Sequence, residues 1–240
     1  MFSRTVSLGA LASLLLSVPA MASDYRVTGK AYALGNWQSP VYEERYTPRT
    51  QEGRAEVHYV DVEEERIALK TLDYSRGDIH PSYRLEDHRL DRLWAAEWSS
   101  DDRITLKRGD ISSPETETVT VKVPQVIDAG FDPFIQQSWD SLLAGDRVTF
   151  HFAFPNRLTN VKLRAEQIRA DDSPLHHKKS DWVYFRIRVD SALLSLFADD
   201  LYLAYAKDGK RLMVFRGRSN IPDENGEGRD VEIRYHYPSD

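Results

Sequence analysis

Seven histidines and 38 acidic residues supply most of the side chains that could do chemistry in this 240-residue chain. Two groups have the composition of a metal site: His80, Asp87, His88 and Asp91, and the pair His176-His177 with Asp171 and Asp172 nearby. Imidazole and carboxylate suit zinc and similar ions. Neither group has ligand spacing, because His-Glu-x-x-His is absent and adjacent histidines on a strand point to opposite faces. No metal and no other cofactor is expected. Nucleophile and phosphate-binding signatures are missing too, with no Gly-x-Ser-x-Gly, no P-loop and no Gly-x-Gly-x-x-Gly. No residue is assigned as catalytic on this basis. What remains is a wealth of acids together with Trp94, Trp98, Trp139 and Trp182, whose rings could stack on sugars. That combination defines the alternative reading, a hydrolase using Asp or Glu or a carbohydrate-binding protein with a tryptophan platform. A glycosidase needs two carboxyls roughly 5 to 9.5 Å apart, a distance that only a structure supplies. Two Arg-Gly-Asp tripeptides, at Arg76 to Asp78 and Arg108 to Asp110, read as turns between strands, the ordinary use of Gly and Asp.

The ends and the charge bound where such chemistry would operate. Residues 1–22 begin with one basic residue, Arg4, run through apolar Val6 to Val18 and end in Ala20-Met21-Ala22. This is the pattern of a secretory signal peptide cleaved after Ala22. The run is short of the ~20 apolar residues that span a bilayer, so no transmembrane anchor is expected after cleavage. Cleavage removes one of 32 basic residues and no acid, moving the formal charge from −6 to −7. Such a surface repels nucleic acid, which excludes it as a partner. There is no cysteine, hence no disulfide, no thiolate chemistry and no lipid attachment at the cleavage site. Stability must come from a core, and residues 23–240 are enough for a single β-rich domain.

The elements that must position these side chains show a period of two. Val119, Val121 and Val123 share one face; so do Val148, Phe150, Phe152 and Phe154, and again Val183, Phe185, Ile187 and Val189. Weaker alternation occurs at Ala55-Val57-Tyr59, Ile67-Leu69, Tyr83-Leu85, Ile104-Leu106, Val161-Leu163-Ala165 and Val231-Ile233-Tyr235-Tyr237. On this pattern His151 points away from the phenylalanine face, toward solvent. Lys207 to Lys210 contains the Asp-Gly of a tight hairpin. The sum predicts a mainly β fold: an antiparallel meander of about ten strands, curled into a half barrel or open barrel.

A curled sheet needs filling. Asp132 to Ala144 predicts a helix, with Asp132 as N-cap, Pro133 in the first turn and Gly145 at the C-terminal end. Phe134, Ile135, Trp139, Leu142 and Leu143 recur on one helical face, while Gln136, Gln137, Asp140 and Ser141 face away. A second apolar segment, Ser191 to Phe197, could cap the other end, giving one or two short plugging helices.

The stretch from Gly130 to Leu158, GFDPFIQQSWDSLLAGDRVTFHFAFPNRL, resembles a segment of secreted proteobacterial proteins of unknown function. The resemblance implies a Gram-negative source and hence the periplasm. At the level of fold, the layout is similar to periplasmic lipoprotein carriers of the half-barrel type, which hold acyl chains on the concave face. It departs from them where they begin with a long helix. The expected function is therefore a non-enzymatic periplasmic protein that binds an apolar, lipid-like ligand or an envelope partner on its concave face. The expected lining is Phe134, Trp139, Phe150, Phe152, Phe154, Phe185 and Ile187.

Overall fold

The computed structural model describes residues 25–190 and 199–238. The signal-peptide reading of residues 1–22 and the apolar segment Ser191 to Phe197 lie outside the described residues. Among the described residues fifteen strands form one sheet. The first eight are β1 (Val27–Ala33), β2 (Tyr42–Tyr46), β3 (Arg54–Val60), β4 (Arg66–Asp73), β5 (Ser82–Asp87), β6 (Arg92–Trp98), β7 (Arg103–Asp110) and β8 (Ser113–Thr120). The remaining seven are β9 (Gln125–Val126), β10 (Val148–Phe154), β11 (Thr159–Ile168), β12 (Trp182–Val189), β13 (Leu201–Ala206), β14 (Arg211–Arg218) and β15 (Asp230–His236). Each strand pairs with its neighbour in sequence, except that β1 pairs with β15 and that β8 and β9 stand at opposite ends of the ladder. All pairings are antiparallel apart from the short parallel contact of β9 with β10.

The count exceeds the expected ten because several strands hide their period. β6 buries Leu93, Ala95 and Ala96 on both faces, and β8 is exposed along nearly its whole length. β2 reads as polar because Glu44 sits between Tyr42 and Tyr46 on the inward face. In β4 the inward set is Ala68, Lys70 and Leu72, not Ile67 and Leu69, although Ile67 is also buried. The valine face assigned at residues 119–123 is corrected as well: Val123 is 86% exposed and lies beyond the strand. The Asp-Gly hairpin joins β13 to β14, with Gly209 at φ +71 as the turn requires.

The ends of the sheet are bridged by side chains in place of a ladder. Gln125 Nε2 donates to His151 O (3.0 Å) and Asn160 Oδ1 (3.1 Å), its Oε1 accepts from Lys122 N (3.2 Å), and Asn160 Nδ2 donates to Thr120 O (2.9 Å). Gln125 is buried, so each of these bonds satisfies a group withdrawn from water. The outer edge of β8 carries Pro114, Glu115 and Glu117, residues that discourage pairing with another chain.

The helix lies inside the curl as two short pieces, α1 (Phe131–Gln137) and α2 (Trp139–Leu143), separated at Ser138. Asp132 is within α1; the N-cap position is Gly130. Glycine is required there by close approach, since a Cβ would collide with the backbone carbonyl of Ile79. Gly145, at φ +90, ends the helical segment as expected. Phe134, Ile135, Trp139 and Leu142 are buried, whereas Leu143 is 43% exposed and does not belong to the core. Gln136 is half-buried and donates to Asp132 Oδ2 (3.0 Å) and Lys210 O (3.2 Å).

Candidate functional site

The seven residues expected to line a ligand divide into two groups. Phe134 and Trp139 pack on the inward side chains of β10, β12 and β13 in one cluster with Phe150, Phe185, Ile187, Leu203 and Tyr205. The rings touch directly: Phe134 and Phe150 are 4.6 Å apart between centroids, and Trp139 meets Phe185 and Tyr205 edge-on at 5.5 and 5.7 Å. These five expected residues form a filled core. Phe152 and Phe154 are half-buried and border a small recess with Tyr83, Leu85, Trp94, Asp128, Pro155, Asn156 and Asn220. Its volume is about 40 Å³, close to the room one water occupies in the liquid.

Sequence reasoning missed the polar interior beside that recess. Lys70 and Asp128 are paired at 2.8 and 3.0 Å, with side chains only 4% and 8% exposed. The Lys70 ammonium sits 5.8 and 5.7 Å from the ring centres of Tyr59 and Tyr83. Burial alone would depress its pKa, but the Asp128 charge and hydrogen bonds outweigh that and hold it above the ordinary lysine value. Asp128 adopts φ +39, a backbone that aspartate tolerates better than most residues, at the turn where Ile127 N bonds Ile79 O (3.1 Å). Nearby, the buried Glu44 accepts from Tyr46 Oη (2.7 Å) and Tyr235 Oη (3.3 Å), and burial pushes its carboxyl above the usual range. Asp132 is also raised by burial; its Oδ1 and the neighbouring Tyr205 hydroxyl complete no well-aligned hydrogen bond. No local signal marks these positions: β2 reads as polar, and the alternation of Ile67 with Leu69 turns Lys70 outward.

The fold is mainly β, a largely antiparallel meander of fifteen strands among the described residues. It is similar to a crystal structure described as a β-barrel-like protein of a domain of unknown function, DUF1849, from Brucella abortus. The two are 8% identical with a TM-score of 0.46, over 91% of this chain and all of that one. No protein family and no curated protein matches the chain in sequence.

The other nominated chemistry disperses. Trp139 and Trp182 are buried, Trp94 is half-buried against the interior core, and Trp98 donates its Nε1 to His80 O (2.9 Å) and meets the His80 ring edge-on. The fifth tryptophan, Trp37, which the sequence reading passed over, stacks in parallel on His176 at 4.4 Å. His151 is half-buried with an unpartnered Nδ1, and its pKa is lowered by burial and by Lys122 and Lys162. Asp87 is buried and paired with Arg89 at 2.6 Å. Among the described residues no group of three or more His, Asp or Glu side chains could hold a metal ion. The charged ends of both Arg-Gly-Asp tripeptides are engaged internally: Arg76 with Asp101, Asp78 with Arg49, Arg108 with Glu115 and Asp110 with Arg92. Gly77 lies between strands, whereas Gly109 falls inside β7.

A larger recess, about 460 Å³, opens on the outward face of β1, β2 and β15. It is bordered by Thr28, Lys30, Tyr32, Glu43, Arg234, Tyr235 and His236.

Proposed function

We propose that this is an exported, non-enzymatic protein of the Gram-negative periplasm that acts by binding an envelope partner, and that it does not store a lipid in its lumen. The observation that carries the reading is the packed interior. The recess that Phe152 and Phe154 border holds about 40 Å³, against the ~300 to 1,000 Å³ of ordinary small-molecule sites. Five of the seven expected residues support the fold by filling that space themselves, at about 1.5 to 3 kcal/mol for each fully buried side chain. The resemblance of the helix-bearing segment to secreted proteobacterial proteins supports the compartment. The scattering of Trp94, Trp98, Trp139 and Trp182 supports binding over hydrolysis on a tryptophan platform.

The test has two arms. Protein recovered from the periplasm and extracted with organic solvent is expected to release no acyl chain above a control periplasmic protein. A photo-crosslinking residue placed at Tyr32 is expected to give an adduct of discrete mass in cells, with none from Thr118 on the exposed β8. A stoichiometric lipid, or no adduct from any outward position, overturns the reading.

A further inference from the structure

The outward recess over β1, β2 and β15 is assembled from side chains whose charges are unequally satisfied. Cross-strand register places Lys30 directly opposite both Arg234 on β15 and Glu43 on β2. On a plain solvated sheet, opposite charges at such positions pair. Here Glu43 is taken by Arg45 at 2.9 Å, and Arg45 reaches on to Glu64 at 2.5 Å. Among the described residues the Lys30 ammonium makes no ion pair.

Arg234 is held in place from several sides. Its guanidinium lies 4.4 Å from the centre of the Tyr32 ring and 5.7 Å from that of Trp37, and Trp37 is itself stacked on His176. Its Nε donates to Glu232 Oε1 at 3.2 Å. Glu232 is fully buried and also accepts from the backbone N–H of His176 (2.6 Å) and His177 (3.1 Å), so its capacity to neutralise Arg234 is shared. Arg234 Nη2 has no acceptor. The loop bearing these histidines is anchored by an outer cluster of Leu175, Trp182, Tyr184, Ala204 and Val214, and Arg216 donates to Pro174 O. A guanidinium fixed by stacking and by a shared carboxylate, its Nη2 buried without an acceptor, thus borders one recess with an unpaired ammonium.

We propose that this recess binds a small anionic ligand: a carboxylate or phosphate carried on a hydroxylated, sugar-like body. Fixed arginine suits the planar or tetrahedral anion, and the flexible lysine closes on it as a second charge. Thr28, Tyr32 and His236 supply hydrogen-bonding groups for hydroxyls, and the rim of Tyr32 supplies apolar ring surface. The inference goes beyond the partner reading and stands or falls separately.

Calorimetric titration of the purified protein with glucose 6-phosphate, glucuronate, inorganic phosphate and glucose tests it. The expected result is binding of the two acidic sugars at least about tenfold tighter than glucose or phosphate, a loss of at least about tenfold in Lys30→Gln, and weakening as salt rises. Lys30 is exposed, so Lys30→Gln is expected to fold; Arg234→Lys, which keeps the charge and loses the fork, should weaken binding with the fold intact by circular dichroism. No binding of either acidic sugar, glucose binding equally well, phosphate alone binding as tightly, or affinity unchanged in Lys30→Gln overturns the proposal. A lipid recovered from the lumen would overturn the preceding reading and leave this one untouched.

Discussion

Around β1–β5 the inward positions carry Tyr42, Glu44, Tyr46, Tyr59, Lys70 and Tyr83, whereas around β10–β13 and the helix they carry Phe150, Phe185, Ile187, Leu203, Phe134, Trp139 and Leu142. Phe215 packs against both regions. One meander is therefore filled in two ways. On the helical side the filling is apolar and gains stability from removal of surface from water. On the tyrosine side it holds ions, whose desolvation must be offset by pairing and hydrogen bonds. The difference teaches where each half is vulnerable. Apolar filling fails in proportion to the volume removed, and ionic filling fails when one partner is removed without the other.

The sharpest way to break the comparison is at Lys70. Lys70→Met leaves Asp128 buried and unpaired and is expected to cost about 3 to 5 kcal/mol in urea unfolding. Adding Asp128→Asn should return much of that loss, since asparagine tolerates the left-handed backbone and carries no charge. A double variant as unstable as the sum of its singles would show that the pair is not the organising feature of that half. Trp139→Ala is expected to lose a similar amount, about 3 to 5 kcal/mol, through a cavity that no neutralising second change can repair. A loss below about 0.5 kcal/mol, typical of surface changes, would mean that the helix is not part of the filling.

The smallest expected effect is at Glu44, and its sign is opposite. Burial raises the folded-state pKa, so between the unfolded value near ~4.3 and the raised folded value the native chain holds a proton that the unfolded chain has lost. The contribution is complete below the unfolded pKa and is lost as pH rises through the folded one. The Tyr46 and Tyr235 hydroxyls and the Lys70 charge moderate this shift, while Asp128 adds to it. Glu44→Gln should therefore match the parent near pH 4 and exceed it near pH 8 in thermal unfolding. A variant equally destabilised at both pH values would refute a strained carboxylate.

The apolar half was the legible one. Val183, Phe185 and Ile187, and the helix with Phe134, Ile135, Trp139 and Leu142, announce themselves because their period matches the geometry of their element and nothing polar interrupts it. Leu143 misled because it ends a short second helical piece that buries Trp139 and Leu142 and leaves Leu143 exposed. The ionic half was illegible for the converse reason. Glu44 sits at an inward position of a strand that reads as polar, and Lys70 at an inward position of a strand whose Ile67-Leu69 alternation points it outward. The partner that makes Lys70 tolerable, Asp128, lies 58 residues away. Pairing across that distance leaves no local mark. The outward recess was hidden in the same way, since Arg234 meets Lys30 only through β1 pairing with β15.

That pairing of β1 with β15 has an entropic consequence. Among the antiparallel ladders it alone joins strands from the two ends of the described chain, Thr28 opposite His236, while the others link strands that follow one another. The loops between β2 and β8 are short, and fixing each of those hairpins removes little chain freedom once its predecessor is in place. Closing the ring between β1 and β15 instead confines nearly the whole polypeptide. Because closure entropy grows only as the logarithm of loop length, each doubling adding about 0.6 kcal/mol, that one ladder of six residue pairs can carry it. With the continuous backbone crossing between β8 and β9, the ring needs no second long-range ladder to be complete.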